Sequence, residues 1–361
     1  LSSVAAIGGL NRFLRNASRG QLGAACFGLA VLGAGGGAVA SAASGSPIPA
    51  PATLPQALYH ALHGPQPAGL SATVRVENRL FEGANLVEGG GDETSGLRSL
   101  LTGDLEGRLW IGKEKARVEL DGRQGDTELV LEKGRITLYS VPENTVYEIT
   151  LPSRNTADNQ PDRTPPTLGQ IEAALQRVER KAVLSAATPT DIGGQPAYLL
   201  RAAPREKGSL LAGAEVGFAA ENGVPLRVGL LSTSSTAPAL ALELQQVSFA
   251  AVPESVFTVQ PPAGVKVKRI RLRAAGRRPA KGIGTVRTVG NGLTAVYVLE
   301  TPTSPHEPSF PYTTGHTTVA GKEAAVVATE LGGLVTLVKD GCRRTALGLL
   351  PTERLAAALG R

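Results

Sequence analysis

Between Ser71 and Thr150 the chain repeats one pattern: short runs in which apolar and charged residues alternate, separated by turn residues. SATVRVENRLFEG (Ser71 to Gly83) sets Val74, Val76 and Leu80 against Arg75, Glu77 and Arg79. RLWIG (Arg108 to Gly112) puts Leu109 and Ile111 on one side, and KARVELDG (Lys115 to Gly122) sets Ala116, Val118 and Leu120 against Arg117, Glu119 and Asp121. TELVLEKGRITLYS is divided by Lys133-Gly134, a tight hairpin signal, and TVYEITLP (Thr145 to Pro152) follows the turn Pro142-Glu143-Asn144. A period of two puts successive side chains on opposite faces of a strand. Turns this short join antiparallel neighbours. The segment therefore reads as a five- or six-stranded meander with one apolar and one charged face, and the apolar face must be covered.

Two helical patterns interrupt the strands. QALYHAL (Gln56 to Leu62) spaces Ala57, Leu58, Ala61 and Leu62 as a short helix, stopped by Gly64 and Pro65. Its His60 and His63 have no further ligand nearby and read as surface residues. TLGQIEAALQRVERKAVL (Thr167 to Leu184) places Ile171, Ala174, Leu175, Val178 and Ala182 on one helical stripe. Thr167 can cap it, and it is the expected cover for the sheet. Strands resume at Gly193 to Pro204, in a hairpin at Gly213 to Thr233 turning on Glu221-Asn222-Gly223, and at Ala239 to Ala250. AVPESVFTVQPPAGVKV (Ala251 to Val267) reads as a short closing strand stopped by Pro261 and Pro262, with Phe257 pointing inward. The expected fold is α+β, a large curved antiparallel sheet wrapped around a helix or two.

The chain has 361 residues, enough for two cores. Leu22 to Ala43 is uncharged and apolar or small, and is close to the roughly 20 residues that span a bilayer. Arg12, Arg15 and Arg19 precede it, which puts residues 1–21 in the cytoplasm and the bulk outside. Two fates stay open: an uncleaved single-pass anchor, or a signal segment cut after Ala40-Ser41-Ala42. Residues 44–55 form a Pro-rich tether. The two cysteines, Cys26 and Cys342, make neither a zinc site nor an expected disulfide.

Three stretches carry a resemblance to a known family. They are the short helix leading into ATVRVENRL; QPAYLLRAAP followed by GAEVGFAAENGVPLRVGLLS; and PESVFTVQPPAGVKV, through Pro253, Phe257, Pro261, Pro262, Gly264 and Val267. In their order and spacing, residues 55 to 267 resemble the LolA/LolB and RseB-like superfamily of extracytoplasmic lipid and lipoprotein carriers, of the actinobacterial, membrane-tethered type. The resemblance implies a half-open barrel, assigned to residues 56–267, whose concave face holds an acyl chain or a lipidated peptide. No residue matches the cavity Arg of the Gram-negative lipoprotein carriers. A tethered domain, moreover, does not shuttle between two membranes, so binding is expected rather than free carriage.

The chemistry of the residues agrees with binding rather than catalysis. Of the four histidines, His60, His63, His306 and His316, none is paired with a nucleophile motif. Gly89 to Gly96 lacks the Lys of a phosphate loop and reads as a loop between strands. Asp104 and Glu106 read as solvated acids, and no cofactor or metal is expected. An acyl chain asks only for an apolar concave face. The candidate lining is Val74, Val76, Leu109, Ile111, Val118, Leu120, Leu129, Leu131, Ile136, Leu138 and Phe257, with a dry core as the competing reading of the same residues.

KVKRIRLRAAGRRPAK (Lys266 to Lys281) carries many basic residues and no acid. A solvated linker over residues 268–283 is the simpler reading; contact with anionic headgroups is the other. Nucleic acid is not an expected partner. Residues 284–361 read as a smaller α+β domain of strands with Gly turns, closed by the helix Pro351 to Gly360, with Thr352 as cap and Leu355 and Leu359 inward. This part resembles the small C-terminal domain of RseB-like proteins, which implies a protein partner there. The expected function is extracytoplasmic binding of a lipid or lipoprotein acyl chain. The alternative is an RseB-like envelope sensor that binds an anti-sigma factor.

Overall fold

The computed structural model describes residues 48–82, 87–88, 105–121, 126–132, 134–141, 144–150, 165–271, 285–303 and 312–360. The apolar segment 22–43, residues 89–96, Cys26, Asp104 and His306 lie outside them. Among the described residues, no helix is long and apolar enough to cross a membrane.

The first unit contains α1 (Leu54–His63), β1 (Leu70–Asn78), β2 (Val87–Glu88), β3 (Leu105–Ile111), β4 (Lys115–Leu120), β5 (Thr127–Glu132), β6 (Arg135–Ser140) and β7 (Thr145–Thr150). It continues with α2 (Leu168–Glu179), β8 (Ala182–Leu184), β9 (Thr188–Ile192), β10 (Gln195–Pro204), β11 (Leu211–Ala219), β12 (Pro225–Ser232), β13 (Pro238–Ser248) and β14 (Lys266–Arg271). All but β2 of these strands form one 13-stranded sheet in the order β14-β7-β6-β5-β4-β3-β1-β13-β12-β11-β10-β8, with β9 on β10. The sheet is open, since its end strands β14 and β8 are not neighbours. Every pairing is antiparallel except β14 on β7.

The alternation becomes two chemically distinct faces. Val74 stands beside Leu244 and Val76 beside Leu242, while Arg75 stands beside Glu243. Leu109 stands beside Val118 and Val118 beside Leu129. The apolar face holds the main core, with Leu109, Leu242 and Leu244 at 2%, 1% and 1% exposure.

Helix α1 packs on the apolar face at the β10–β11 end. Its first turn is closed by a reciprocal bond, in which Thr53 Oγ1 accepts from the Gln56 amide (3.4 Å) and the Gln56 side chain accepts from the Thr53 amide (3.2 Å). Leu54, Ala57 and Ala61 are buried against Tyr198 and Phe218, which stand side by side on β10 and β11. The helix ends against the turn of the β11–β12 hairpin. A Cβ on Gly64 would fall 1.6 Å from the Glu221 carbonyl oxygen, so the close approach requires glycine there. Gly223 in that turn has φ +68°, the left-handed region that favours glycine.

Three expectations are corrected. Helix α2 ends at Glu179, and Ala182–Leu184 forms β8 instead, because this short run pairs with Ala202–Pro204 of β10. Helix α2 is also not the cover of the sheet: only Ile171 is buried, Val178 is 47% exposed, and Leu175 packs into the α1 cluster. Glu254–Phe257 is a 3₁₀ turn rather than a strand. Pro253 fixes its entry at φ −58°, and the Arg117 guanidinium donates to the Val256 and Thr258 carbonyls (2.7 and 3.4 Å), which draws this backbone out of ladder pairing.

The second unit holds β15 (Val286–Val289), β16 (Val296–Pro302), β17 (Tyr312–Thr313), β18 (Gly315–Val319), β19 (Lys322–Thr329), β20 (Gly332–Lys339), β21 (Cys342–Gly348) and α3 (Thr352–Leu359). Six strands pair in the order β15-β16-β21-β20-β19-β18, and β17 pairs with β2 of the first unit. Helix α3 inserts Leu355 and Leu359 into a core with Val298, Val335 and Ala346. Pro351, not Thr352, holds its cap position, and no side chain caps it.

The two units are joined by hydrogen bonds. The Leu210 amide donates to the Leu349 carbonyl (2.8 Å) and the Glu330 amide to the Leu80 carbonyl (2.9 Å). Ser232 Oγ donates to the Glu330 carboxylate (3.1 Å), as does Ser234 Oγ. The Glu206 carboxylate accepts from the Leu293 amide (3.1 Å) and from the Thr294 amide (3.1 Å) and hydroxyl (3.0 Å).

Candidate functional site

On the charged face of the large sheet, arginines and carboxylates pair with one another. Glu215, 2% exposed, accepts from Arg227 Nε at 2.8 Å and from Arg201 Nε at 3.2 Å, and Arg227 also bonds Glu243. Burial works against the Arg227 charge, but the two carboxylates outweigh it and hold its pKa above the ordinary value. Farther along, Arg117 pairs with Glu119 and with Glu128 (3.0 Å), and Arg108 with Glu119 (2.9 Å). Both guanidiniums also flank the Trp110 ring, at 5.6 and 5.8 Å. A cleft between Arg75, Glu77, Arg227 and Glu243 has a volume of about 50 Å³. That is room for a water or two, not for a chain of methylenes.

The apolar face changes character along its length. Two rows of side chains cross it, one residue per strand. The first runs Leu109, Val118, Leu129, Leu138, Tyr147 and Lys268 on β3, β4, β5, β6, β7 and β14. The second runs Ile111, Ala116, Leu131, Ile136, Ile149 and Ile270 on the same strands. At the β3–β4 end both rows are closed, with Leu109, Ile111, Ala116 and Val118 all at 3% exposure or less. Toward the sheet edge Leu129, Leu138, Tyr147, Ile136 and Ile149 are partly exposed, and Ile270 is 39% exposed. The face thus opens toward β14.

This divides the residues that the sequence nominates. Val74, Val76, Leu109, Ile111, Val118 and Leu131 are buried in the core. Leu120, Leu129, Ile136 and Leu138 lie on the same face and are partly exposed. Phe257 does not join them. It is 4% exposed and packs over Gly112 on the charged face, beside Arg117 and Lys115, since a Cβ on Gly112 would lie 3.0 Å from its ring. Lys115 there is held by Glu254 (3.0 Å) and Glu132 (3.3 Å), and its pKa is raised, first by the bond to Glu254 and then by that to Glu132.

Tyr147, Ile149, Lys268 and Ile270 belong to the open end and are missing from the sequence-based set. Tyr147 and Ile149 are on a strand legible from its alternation, so the same period of two places them with Leu138 and Ile136. Lys268 and Ile270 sit in the basic stretch that reads as linker. Lys266–Arg271 instead extends the sheet, and its own alternation (Lys268 and Ile270 to one face, Arg269 to the other) is the signal that finds them. Lys268 Nζ lies 5.0 Å over the Tyr147 ring and donates to its hydroxyl at 3.3 Å. Arg269 pairs with Glu148 at 2.9 Å on the charged face. The surface histidines are exposed, as expected for α1: His63 Nδ1 contacts the Tyr59 carbonyl at 2.9 Å and its ring stacks on Tyr59.

No protein-family model and no curated protein matches the chain. Solved structures do. The MucA/MucB complex of Pseudomonas aeruginosa is 16% identical, over 83% of this chain and 95% of that one, at a TM-score of 0.40. An uncharacterized conserved protein from Thermus thermophilus is 13% identical, over 59% and 97%, at 0.35. A LolA superfamily protein from Nitrosomonas europaea is 11% identical, over 58% and 98%, at 0.21. All three TM-scores lie below 0.5, so the functional reading rests on this chain's own geometry.

Proposed function

We propose that this protein binds an acyl chain, of a lipid or lipoprotein, on the open end of its apolar face, and that it does so outside the cytoplasm, held to the membrane by residues 22–43 when that segment is not cut. The observation that supports this is the gradient of exposure along the two rows. The rows are a packed core at β3 and β4, and the same apolar chemistry continues outward through β5, β6 and β7 into partly exposed Leu129, Leu138, Ile136 and Ile149. A surface strand of an ordinary antiparallel sheet would turn polar on its open side. Here apolar side chains are left for something to cover. The four strands β5, β6, β7 and β14 are about 4.8 Å apart, so the open rows run for roughly 14 Å. Each methylene laid along them and removed from water contributes about 0.8 kcal/mol, before the cost of ordering the chain.

The work asked of these residues is binding. They supply branched aliphatic surface, one aromatic ring and one ammonium group, a set that orients an amphiphile. The test is uptake of a fluorescent fatty acid by the purified full chain, with lipid extraction of the chain as isolated. Saturable uptake at one site per chain supports the proposal. No uptake together with no extracted lipid refutes it.

A second reading, an envelope sensor that binds a protein partner, draws on a different observation. The second unit is docked to the first through Glu206, Glu330, Leu210 and the β2–β17 pair. Such a joint gives a partner a composite surface across two domains. Capture of a membrane-bound regulator by the intact chain, lost on breaking the joint with Glu206→Ala, would support it.

A further inference from the structure

We infer that the bound amphiphile is anionic, and that Lys266 and Lys268 of β14 receive its headgroup. The inference rests on the proposed acyl-binding function and adds the class of ligand.

Charge is placed differently on the two faces. Strand β14 sends Lys266, Lys268 and Ile270 to the apolar face and Val267 and Arg269 to the other, because it pairs in register with β7. On the charged face, basic side chains meet acids: Arg269 with Glu148, Arg117 with Glu128, Arg227 with Glu215 and Glu243. On the apolar face of β5, β6, β7 and β14 the residues are Thr127, Leu129 and Leu131, then Ile136, Leu138 and Ser140, then Thr145, Tyr147 and Ile149, then Lys266, Lys268 and Ile270. That set contains two cations and no carboxylate. Among the described residues neither lysine has an ion-pair partner, and both side chains are exposed. The bond that Lys268 makes on this face, to Tyr147, is to a neutral hydroxyl.

The rows also carry a direction. Across the mouth, the row ending in Lys266 bears the hydroxyls of Thr127, Ser140 and Thr145, the last of these buried between Ser140 and Lys266. The middle row ends in Lys268 and includes Tyr147, Leu138 and Leu129. The row ending in Ile270 is wholly aliphatic: Ile149, Ile136, Leu131. Polarity therefore falls along β14 in two-residue steps. An anionic headgroup sits at Lys266 and Lys268, and the acyl chain runs over the Leu138 and Ile136 rows toward the closed core. A neutral or cationic headgroup finds no matching charge at that edge, and an exposed lysine pair costs less to desolvate partly than to bury. The occupant is a single lipid molecule, since the aliphatic rows beside the lysines run inward across β7, β6 and β5 to the closed core, a path one acyl chain follows.

The experiment titrates the full chain with two monomeric probes of equal acyl length, lysophosphatidylglycerol and lysophosphatidylcholine, by calorimetry at low and physiological salt. The anionic probe is expected to bind on the order of tenfold tighter at low salt, and the preference to shrink as salt rises. The Lys266→Gln/Lys268→Gln variant, both positions being exposed, is expected to keep its fold by circular dichroism and to lose the preference, the two probes then binding with equal affinity. Equal affinity of the native chain for both probes overturns the headgroup assignment and leaves acyl binding standing. A preference that survives in the double variant overturns it too. Binding of neither probe overturns acyl binding itself. Sedimentation with phosphatidylglycerol vesicles in a chain that takes up no monomeric probe assigns the lysines to a membrane surface and overturns the inference.

Discussion

Truncating Leu138 and Leu109 to alanine should separate the open end of the apolar face from its packed core. Both leucines lie in the same row, with Val118 and Leu129 between them. Leu109 is 2% exposed and enclosed by the core cluster, so Leu109→Ala removes its transfer energy and leaves a cavity. Leu→Ala changes at such sites cost about 2.7–5 kcal/mol. Leu138 is partly exposed, and its neighbours Leu129 and Tyr147 are too, so the unliganded protein loses less there, about 1–2 kcal/mol. In acyl binding the order reverses. A chain lying over Leu138 loses contact with roughly one to two methylene equivalents, about 1 kcal/mol, or about fivefold in affinity. Leu109 has no surface left for a ligand, so its truncation should leave affinity unchanged wherever the variant is folded. Urea unfolding supplies the stabilities, read as midpoint shifts at constant slope, and fatty-acid titration supplies the affinities. If Leu109→Ala weakens binding as much as Leu138→Ala, or if Leu138→Ala is the more destabilising, the closed-core, open-end description is wrong.

Two further outcomes follow from the carboxylates of Glu215 and Glu206. Glu215→Gln keeps the shape but removes the charge that Arg227 and Arg201 share; with Arg201 61% exposed and Arg227 retaining Glu243, the loss should be about 1–3 kcal/mol in urea unfolding, and much smaller in a background where Arg227 is already replaced. Glu206 has its pKa lowered, first by the Leu293 amide and then by the Thr294 hydroxyl, so its contribution to the joint is present above the ordinary carboxylate pKa and is lost as pH falls through the lowered value. Protection of the Leu293 and Thr294 amides against hydrogen exchange, corrected for the intrinsic pH dependence, should therefore hold at neutral pH and fall in acid. In Glu206→Ala it should be low throughout.

Much of the fold is legible because alternation is a local property. The alternating runs between Ser71 and Ser248 form strands, and the register follows from keeping Val74, Leu109, Val118 and Leu129 on one face. The departures have a common physical cause: a short segment whose local pattern fits two structures is decided by distant partners. Ala182–Leu184 continues a helical stripe, yet β10 offers it a ladder. Ser255–Phe257 looks like a strand, yet Arg117 binds its carbonyls from a strand 139 residues away along the chain. Lys266–Arg271 reads as a charged link until β7 pairs with it. For the site, the sequence nominates the apolar face but not its gradient of exposure. Period alone tells which side Leu109 and Leu138 face, and both face the same side. Which of them is covered depends on packing between strands far apart in sequence. The spacing of Phe257 between prolines points it inward; it is buried, but against the opposite face, over Gly112.

The central question is where a bound acyl chain lies. A fatty acid with a photoreactive group near the end of its chain, bound to the full-length protein and irradiated, gives that position by mass spectrometry of the cross-linked peptides. Attachment is expected within β5, β6 or β7, at Leu129, Ile136, Leu138 or Ile149. Cross-links confined to the second unit or to the charged face around Trp110 and Phe257, or no cross-link at saturating probe, would contradict binding on the open end of the apolar face.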